Sequence, residues 1–483
     1  MYKKIRNIKL PIIAFILMIS FFSCNEWLDL EPENQLVQQE FWKKKEDVAA
    51  VMAAMYNAYR DCSRDLWIWG ELRADMLVFN GPTVGNFRQI ANGEILPTNS
   101  AISWTKFYNA INLANTIMVF SEGVVPLDET FDYKTQRGYE AEALFIRSKA
   151  YFDLVRIWKE VPLVLQASNA DTVSFSIAKS TEAEILSQIE KDLIRAKTIA
   201  FKDEFADIPE MYKGRANIHS INALLADVYL WGEQYQKCVE TCDEIINSGK
   251  FQLQNENDWF YLYFPGNASE SIFEIQYNEL YENETSPIST SLIPVVGSAQ
   301  VALSPIAQEL FGITDIRKGS PNPLSKYQFQ DLKTRLKRTS NQRDANIIYY
   351  RYADILLMKA DALAELGLFN ESNFYINEIL QRATLPPMNI EPNIVAFRSI
   401  ILEERSKEFI LEGKRWFDVL RYAKRNNFQN KNYIIQMILA GADVKQRPIL
   451  RSKILDPMSY YLPIPQNELD YNPKLVQNPF YDR

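Results

Sequence analysis

Two separate stretches of the chain share one pattern, in which an apolar helix, a glycine and a second, amphipathic helix follow one another. Residues 218–231 precede Gly232 and a helical segment at 235–246, and residues 348–366 precede Gly367 and a segment at 371–382. Small residues in the first helix and a glycine at the bend are typical of tetratricopeptide (TPR) hairpins, with about 34 residues per unit. A long insertion separates the two units. The sequence therefore predicts a mostly α fold of TPR-like hairpins with long loop-rich insertions and a few short strands, not a regular solenoid.

Apolar residues recur at helical spacing in three further segments, 48–59, 104–120 and 139–158. We expect the last of these to end before Val161-Pro162, because proline cannot continue the helical ladder. Ser180 or Thr181 is placed to cap the next helix, whose first turn carries two glutamates. Most of the chain is therefore expected to be helical.

Proline and glycine concentrate in two regions, residues 61–103 and 250–345, and exclude a long helix from the first of them. Residues 271–277, in the second region, have the pattern of a short strand. Long structured loops on a compact scaffold usually carry function. We therefore expect the ligand of this protein to bind at one or both loop regions.

The first 23 residues have the pattern of a secretory signal. Four basic residues precede an apolar run at 10–22, which is too short to span a bilayer, since a spanning helix needs about 20 apolar residues. Ser23 then precedes Cys24, which is the pattern of a bacterial lipobox. The sequence predicts a signal peptide at residues 1–23 and fatty acylation of Cys24, for example by palmitate, as a membrane anchor.

Charge and residue counts exclude several classes of function. Removal of the four basic residues of the signal changes the formal charge from −8 to −12, which disfavours binding to nucleic acid. Cys62, Cys238 and Cys242 are expected in the core, and His219 is the only histidine, so neither a metal site nor a cofactor is predicted. A single histidine also argues against a Ser-His-Asp nucleophile.

Four stretches, in order along the chain, resemble the SusD/RagB outer-membrane lipoproteins of Bacteroidetes. They are residues 24–32 (CNEWLDLEP) leading to YNAY at 56–59, residues 351–362 (RYADILLMKADA), residues 401–421 (ILEERSKEFILEGKRWFDVLR), and the tail with YLPIP at 461–465, NP at 472–473 and QNP at 477–479. One such motif is moderately specific. Four in this order, spread over almost the whole mature chain, are strongly so.

The resemblance implies a single SusD-like domain over residues 24–483. Its N-terminal part would cover about 24–250, the loop-rich insertion about 250–345 and the C-terminal RagB/SusD part about 346–483. It also implies an outer-membrane lipoprotein that faces the cell exterior and partners a SusC-like TonB-dependent transporter. Members of the family bind glycans or peptides, so the expected ligand is an oligosaccharide or an oligopeptide.

The third stretch is rich in charge, with Glu404, Arg405 and Glu408 followed by Arg415, Asp418 and Arg421. Two carboxylates in a cleft can perform general acid–base chemistry on a glycosidic bond. The same residues can also form an ion-pair network that holds two helices at a turn. We favour the network, and the resemblance places this segment in the scaffold.

Candidate ligand residues lie in the two loop regions. Trp67 and Trp69 flank one residue, so in an extended segment both indoles would project from one face, where sugar rings could stack. The alternative is that one or both tryptophans belong to the core. Nearby Arg73, Asp75 and Arg88 could supply polar contacts at the edge of a sugar. In the second region the preferred residues are Tyr277 and Tyr281, and an aromatic cluster lies at 259–264, of which about half should face outward.

A basic segment at 326–343 is a third candidate surface. It could face an acidic polymer or an acidic partner, but a solvated strand pair is the simpler reading.

Three functions compete at this point. The first is a lipoprotein that captures an oligosaccharide, or alternatively an oligopeptide, for a transporter. The second is a surface glycoside hydrolase, although no stretch resembles a catalytic signature. The third is a TPR-type scaffold that binds only another protein. We predict a binding protein and not an enzyme.

Overall fold

We analysed a computed structural model of the chain. It describes residues 41–80, 85–168, 176–278, 285–295, 297, 299–319, 322–441, 444–445 and 447–482. The predicted signal peptide, Cys24 and Tyr281 lie outside the described residues. No helix within those ranges is long and apolar enough to cross a bilayer.

Helices dominate the described chain. In order they are α1 (Lys45–Arg60), α2 (Ser63–Glu71), α3 (Gly85–Asn92), α4 (Thr105–Val124), α5 (Tyr133–Trp158), α6 (Glu182–Ile199), α7 (Pro209–Gly214), α8 (Ile218–Trp231), α9 (Tyr235–Asn247), α10 (Pro305–Glu309), α11 (Ser325–Gln328), α12 (Tyr352–Glu365), α13 (Phe369–Arg382), α14 (Ile394–Glu408), α15 (Arg415–Phe428), α16 (Lys431–Gly441), α17 (Arg447–Ile454) and α18 (Gln466–Tyr471).

The strands are short and pair two by two in antiparallel fashion. They are β1 (Leu77–Phe79), β2 (Val161–Pro162), β3 (Lys179–Ser180), β4 (Ser271–Ile275), β5 (Val301–Leu303), β6 (Phe329–Asp331), β7 (Leu336–Lys337) and β8 (Ile347–Arg351). The pairs are β1 with β5, β2 with β3, β4 with β8 and β6 with β7. The predicted fold class, mostly α with a few short strands, is confirmed.

Both predicted hairpins are present. Helices α8 and α9 pack on each other, as do α12 and α13, and α9 packs on α12. Asn217 caps α8 by accepting the N–H groups of His219 and Ser220, which is why the helix begins there. Residues 348–351 were predicted as helix and this is wrong, because they pair with β4 as strand β8.

The long helices pack in succession and return to the start of the chain. Helix α1 packs on α4, α4 on α5 and α5 on α6, and α6 then contacts the α8–α9 hairpin. After the second hairpin, α12 packs on α14, α14 on α15, and α15 contacts α2. Thr181 caps α6 in a capping box with Glu184, as expected from the sequence. The result is one scaffold in which α2 and α15 are neighbours despite their separation in sequence.

One large hydrophobic cluster runs through this scaffold from Trp42 to Leu475. Cys62, Cys238 and Cys242 are buried in it with free thiols, so their prediction as core residues is confirmed. A smaller cluster around Trp259, Phe260 and Tyr263 lies in the second loop region. The loops therefore have a packed base of their own.

Candidate functional site

The two loop regions, predicted separately as ligand-bearing, meet through strands β1 and β5. Leu77 pairs with Leu303 and Phe79 with Val301. The ladder continues at both ends, because the N–H of Asn80 donates to the carbonyl of Gln300 at 2.8 Å and that of Ser304 to the carbonyl of Met76 at 2.9 Å. This pairing brings residues more than 200 positions apart onto one surface.

A pair of half-buried phenylalanines lies at this junction. The rings of Phe79 and Phe87 meet edge to face with centroids 5.7 Å apart, and the guanidinium of Arg64 lies 5.0 Å from the Phe87 ring. Both rings rest on the core and are partly open to solvent. Asn80 and Arg88 are exposed on either side. We call Arg64, Phe79, Asn80, Phe87 and Arg88 the loop surface.

Of these five residues, the sequence indicated only Arg88. Phe79 and Phe87 lack the spacing of one face, since one lies on strand β1 and the other on helix α3. Side chains fix α3 to the next loop: Asn99 donates to the carbonyl of Asn86 at 3.0 Å, and Asn86 donates to Ser100 at 2.6 Å. In the sequence, the asparagines at 86 and 99 were the available indication that α3 is fixed to the following loop.

Trp67 and Trp69 lie in helix α2, so the extended segment in which both indoles would project from one face is not present there. Their indoles are 2% and 0% exposed. The indole N–H of Trp67 donates to the carbonyl of Leu411 at 2.7 Å, and that of Trp69 to the carbonyl of Ala101 at 2.9 Å. Because each ring is buried and its one donor is used, both indoles pack as core in this structure, and neither ring face is open for stacking.

Arg73 and Asp75 do not join Arg88 at the surface. The Arg73 guanidinium is buried, lies 3.9 Å from the Trp416 ring and donates to the carbonyl of Tyr460 at 2.9 Å. Asp75 receives a bidentate pair from Arg415, at 2.8 and 2.9 Å. These two predicted ligand residues therefore hold the loop against the C-terminal helices.

Tyr277 is buried at the end of α1, where its ring lies 5.8 Å from the Arg60 guanidinium. Burial raises the pKa of its hydroxyl to about 12, with small opposing effects of Ser63 and Arg60. Tyr277 thus lies near the first loop region but does not present its ring to solvent. Tyr281 is outside the described residues and stays a prediction.

The predicted aromatic cluster is mostly buried, whereas the basic residues of the predicted basic segment are mostly exposed. Trp259, Phe260 and Tyr263 are buried, whereas Tyr261 is 53% exposed. In the basic segment, β6 and β7 form the expected strand pair. Lys326 is fully buried, and its ammonium contacts the carbonyl of Ile410 at 3.2 Å.

A buried ion-pair network attaches the second loop region to the helices. Arg351 contacts Glu270 and Glu408 at 2.6 Å each and Glu412 at 3.0 Å. Arg317, from a short turn of the loop region, contacts Glu404 at 2.9 Å. Burial alone would raise the pKa of Glu408, but the arginines around it hold that pKa well below its usual range. Glu408 is therefore an ionised partner of arginine, and the ion-pair network predicted for residues 401–421 is present.

An opening separate from the loop surface lies between α4 and the C-terminal tail. It has a volume of about 610 Å³, within the range of small-ligand pockets. Trp104, which precedes α4, and Tyr108 of α4 line one side, and Tyr471 and Asn472 of the tail line the other. Tyr471 is 84% exposed. We call this opening the tail groove; no local sequence pattern indicates it, because its two walls are far apart along the chain.

The fold and the loop surface define a helical scaffold of TPR-like hairpins with two half-buried phenylalanines where its loop regions meet. Residues 26–230 match the family described as starch-binding associating with outer membrane, and residues 317–481 match the SusD family. The chain belongs to the SusD/RagB family, which confirms the resemblance found in the sequence.

Similar proteins cover nearly the whole chain. A SusD-like protein of Formosa agariphila is 28% identical in an alignment of 484 positions, gaps included, which covers 87% of this chain and 92% of the relative. A SusD-like protein of Bacteroides ovatus is 25% identical, over 86% of this chain and 82% of its own.

Among solved structures, a SusD superfamily protein of Bacteroides vulgatus has a TM-score of 0.73 at 23% identity, over 91% of this chain and 100% of its own. A laminarin-binding SusD-like protein has a TM-score of 0.70 at 20% identity, with the same two coverages. At these identities the structural likeness concerns the fold.

Proposed function

We propose that this chain is a lipid-anchored outer-membrane protein that binds an oligosaccharide and passes it to a TonB-dependent transporter. Family membership and the description of the family over residues 26–230 support a role at the outer membrane. The laminarin-binding protein of the same fold supports a glycan as ligand. The acyl chains on Cys24 would hold the protein at the cell exterior, beside its transporter.

The loop surface is the proposed ligand site, and the pairing of Phe79 with Phe87 carries the proposal. Half-exposed rings offer flat apolar faces to the C–H faces of a sugar, while Asn80, Arg64 and Arg88 can hydrogen-bond its hydroxyls. We propose Tyr281 as a secondary contact on its sequence position alone. Trp67, Trp69, Arg73 and Asp75 are not proposed as ligand contacts, because their side chains are buried or paired within the scaffold.

Calorimetry of the mature protein against panels of oligosaccharides and oligopeptides tests the ligand class. We expect at least one oligosaccharide to bind and Phe87→Ala to weaken that binding by about tenfold or more, since aromatic anchors dominate such contacts. Phe374→Ala is the matched control, because Phe374 is an exposed phenylalanine on the distant helix α13. Its affinity should equal that of the native chain.

Other outcomes of the same titrations are informative. Binding of peptides but of no oligosaccharide would replace the glycan proposal by a peptide-binding lid of the same kind of transporter. If Tyr471→Ala abolishes binding and Phe87→Ala does not, the ligand occupies the tail groove. Binding to a partner protein with no small ligand in either panel would favour the pure scaffold.

The ion pairs of the buried carboxylates support binding without catalysis. A glycoside hydrolase needs a carboxylic acid and a carboxylate that face one sugar across a cleft. Glu404, Glu408 and Asp418 are instead buried and paired with arginines. Incubation of the protein with any oligosaccharide that it binds should leave the sugar intact by chromatography. Release of shorter products would revive the enzyme hypothesis.

The transporter partner is tested by purification of a tagged native chain from the membranes of its host. A TonB-dependent transporter should co-purify in a fixed ratio. Recovery of the chain alone under mild detergent, with its ligand affinity intact, would contradict this part of the proposal and leave the binding function standing.

A further inference from the structure

The loop surface carries two guanidinium groups beside its pair of phenylalanine rings. The Arg64 guanidinium lies 5.0 Å from the Phe87 ring. Arg88 follows Phe87 on helix α3, and its side chain is exposed. An arginine that rests against an aromatic ring is held in place while its N–H donors stay available to a ligand. Two positive charges therefore lie next to the surface on which we expect a sugar to stack.

The described part of the protein supplies no ion-pair partner for either guanidinium. Within those ranges, no carboxylate pairs with Arg64 or Arg88. The acidic residues nearest to Arg64 in sequence are Asp61 and Asp65. Lys106 accompanies both of them, because its ammonium lies 2.9 Å from the Asp65 carboxylate and 3.2 Å from the carbonyl oxygen of Asp61. In this group of five residues, cations outnumber carboxylates.

The segments that form the loop surface contain no acidic residue. Neither Asp nor Glu occurs at positions 76–93, which include β1 and α3, or at positions 285–308, which include β5. The whole chain has 61 acidic residues among 483, so their absence from both segments is a local feature. Helix α16, which packs on α3, has none either. The charges of Arg64 and Arg88 are therefore not offset by β1, α3, β5 or α16.

The net charge of the chain does not cancel this local excess. Its formal charge of −8 is distributed over the molecule, and physiological salt screens the field of an exposed charge over about 8 Å. A ligand at the loop surface therefore interacts mainly with the charges beside it, which are those of Arg64 and Arg88.

We infer that the ligand of the loop surface is an anionic oligosaccharide, whose uronic acid carboxylates or sulfate esters pair with Arg64 and Arg88. The planar fork of a guanidinium matches two oxygens of such an anion, and charge-assisted hydrogen bonds of this kind are stronger than those to sugar hydroxyls. Phe79 and Phe87 contact the C–H face of the sugar that carries the anion or of its neighbour. This inference rests on the proposed function and narrows its ligand class.

Calorimetry with pairs of oligosaccharides that differ in charge tests the inference. The probes are oligogalacturonates with their methyl esters, and sulfated galactan oligosaccharides with their desulfated forms. In at least one pair, the charged member should bind about tenfold more tightly than the uncharged one at about 50 mM NaCl. A rise to about 500 mM NaCl should reduce this ratio, because salt screens exposed charges. The pair that shows the preference distinguishes a carboxylate from a sulfate.

Variants of the two arginines locate the anionic contact. Arg88→Gln and Arg64→Gln should each lower the ratio of the two affinities, and the double variant should bring it close to one. Arg137→Gln is the matched control, because Arg137 is an exposed arginine of helix α5, and it should keep the native ratio. A preference for charge that survives in the double variant would overturn the inference. Because each ratio is measured within one preparation, a partial loss of folding does not imitate the effect.

The same titrations separate this inference from the proposed function. Binding of oligosaccharides that depends on Phe87 but shows no preference for charge overturns the inference and leaves the proposed function standing. If no oligosaccharide binds, charged or neutral, both proposals fail. Binding of acidic peptides alone also overturns both, and it would make a peptide the ligand of the loop surface.

Discussion

Glu71 carries a carboxyl group that is buried where α2 approaches the turn before α15. One oxygen accepts the N–H of Gly413 at 2.8 Å, and no partner for the other lies within the described ranges. Burial raises the pKa of this carboxyl to about 8, although the backbone N–H groups of Gly413 and Lys414 lower it. The Glu71 carboxyl is therefore protonated and neutral in the folded protein at pH 7.

We expect Glu71→Gln to gain stability relative to the native chain as the pH rises. The carboxyl of Glu71 has a pKa near 4.5 in the unfolded chain and near 8 in the folded chain. Between these pH values the folded chain therefore keeps a proton that the unfolded chain loses. Native stability from this group is present at about pH 4.5 and falls by up to about 1.4 kcal/mol per pH unit toward pH 8. Glutamine stays neutral throughout. Urea unfolding of both proteins at several pH values checks this, and parallel stability curves would contradict it.

Gly70, the neighbour of Glu71, allows the same close approach. A Cβ at this position would lie 1.9 Å from the carbonyl oxygen of Gly413, so the backbone of one segment would have to move. Gly70→Ala should cost about 3 kcal/mol or more. Gly123→Ala, in helix α4 with nothing within 4 Å of the added Cβ, should be neutral or stabilise by up to about 1 kcal/mol. Equal losses of Tm in the two variants would refute the role of this contact.

At the scale of elements, Arg351 joins strand β8 to the loop region and to α14. Its guanidinium contacts Glu270, Glu408 and Glu412 and is fully buried. Arg351→Met leaves three carboxylates with fewer partners, so we expect a loss of about 3–5 kcal/mol in the free energy of unfolding. Arg195→Met breaks the exposed pair with Glu140 and should cost less than about 1 kcal/mol. Denaturant titrations of both variants measure the difference, and similar costs would argue against the network.

Elements with local signals could be predicted from the sequence. The α8–α9 hairpin begins and ends within a residue of its predicted limits, since amphipathic periodicity and Gly232 act over short distances. The β1–β5 and β4–β8 pairings could not be predicted, because strands of three to five residues find their partners through tertiary contacts. The burial of Trp67 and Trp69 in a helix could not be predicted either, because it depends on their tertiary contacts with Leu411 and Ala101.

The candidate site was predictable as a region and not as a set of residues. Glycine and proline marked both loop regions, but the junction of Phe79 with Phe87 depends on where α3 packs against β1. Arg73 and Asp75 looked like ligand contacts because they are charged and lie in a loop. Their partners, Trp416 and Arg415, are more than 300 residues away, so no local pattern reveals them.

At the scale of the whole molecule, the hydrophobic core formed by the described residues is one large cluster. It includes Trp42, whose ring stacks on Phe120 with centroids 5.4 Å apart. Anchoring and folding should therefore be separable properties. A chain of residues 25–483 behind a cleavable signal without a lipobox should leave the membrane fraction, with an unchanged Tm and an unchanged Kd for its ligand.

Acylation itself is tested by labelling cells with radioactive palmitate. The native chain should take up the label and Cys24→Ala should not, because the proposed lipobox assigns both acylated groups, the thiol and the freed amino group, to Cys24. Cys62→Ala is the matched control: Cys62 is fully buried in the core, so its loss should affect stability and leave labelling intact. Label on Cys24→Ala, or a chain without a lipobox that stays membrane-bound, would mean that another part of the protein holds it at the membrane.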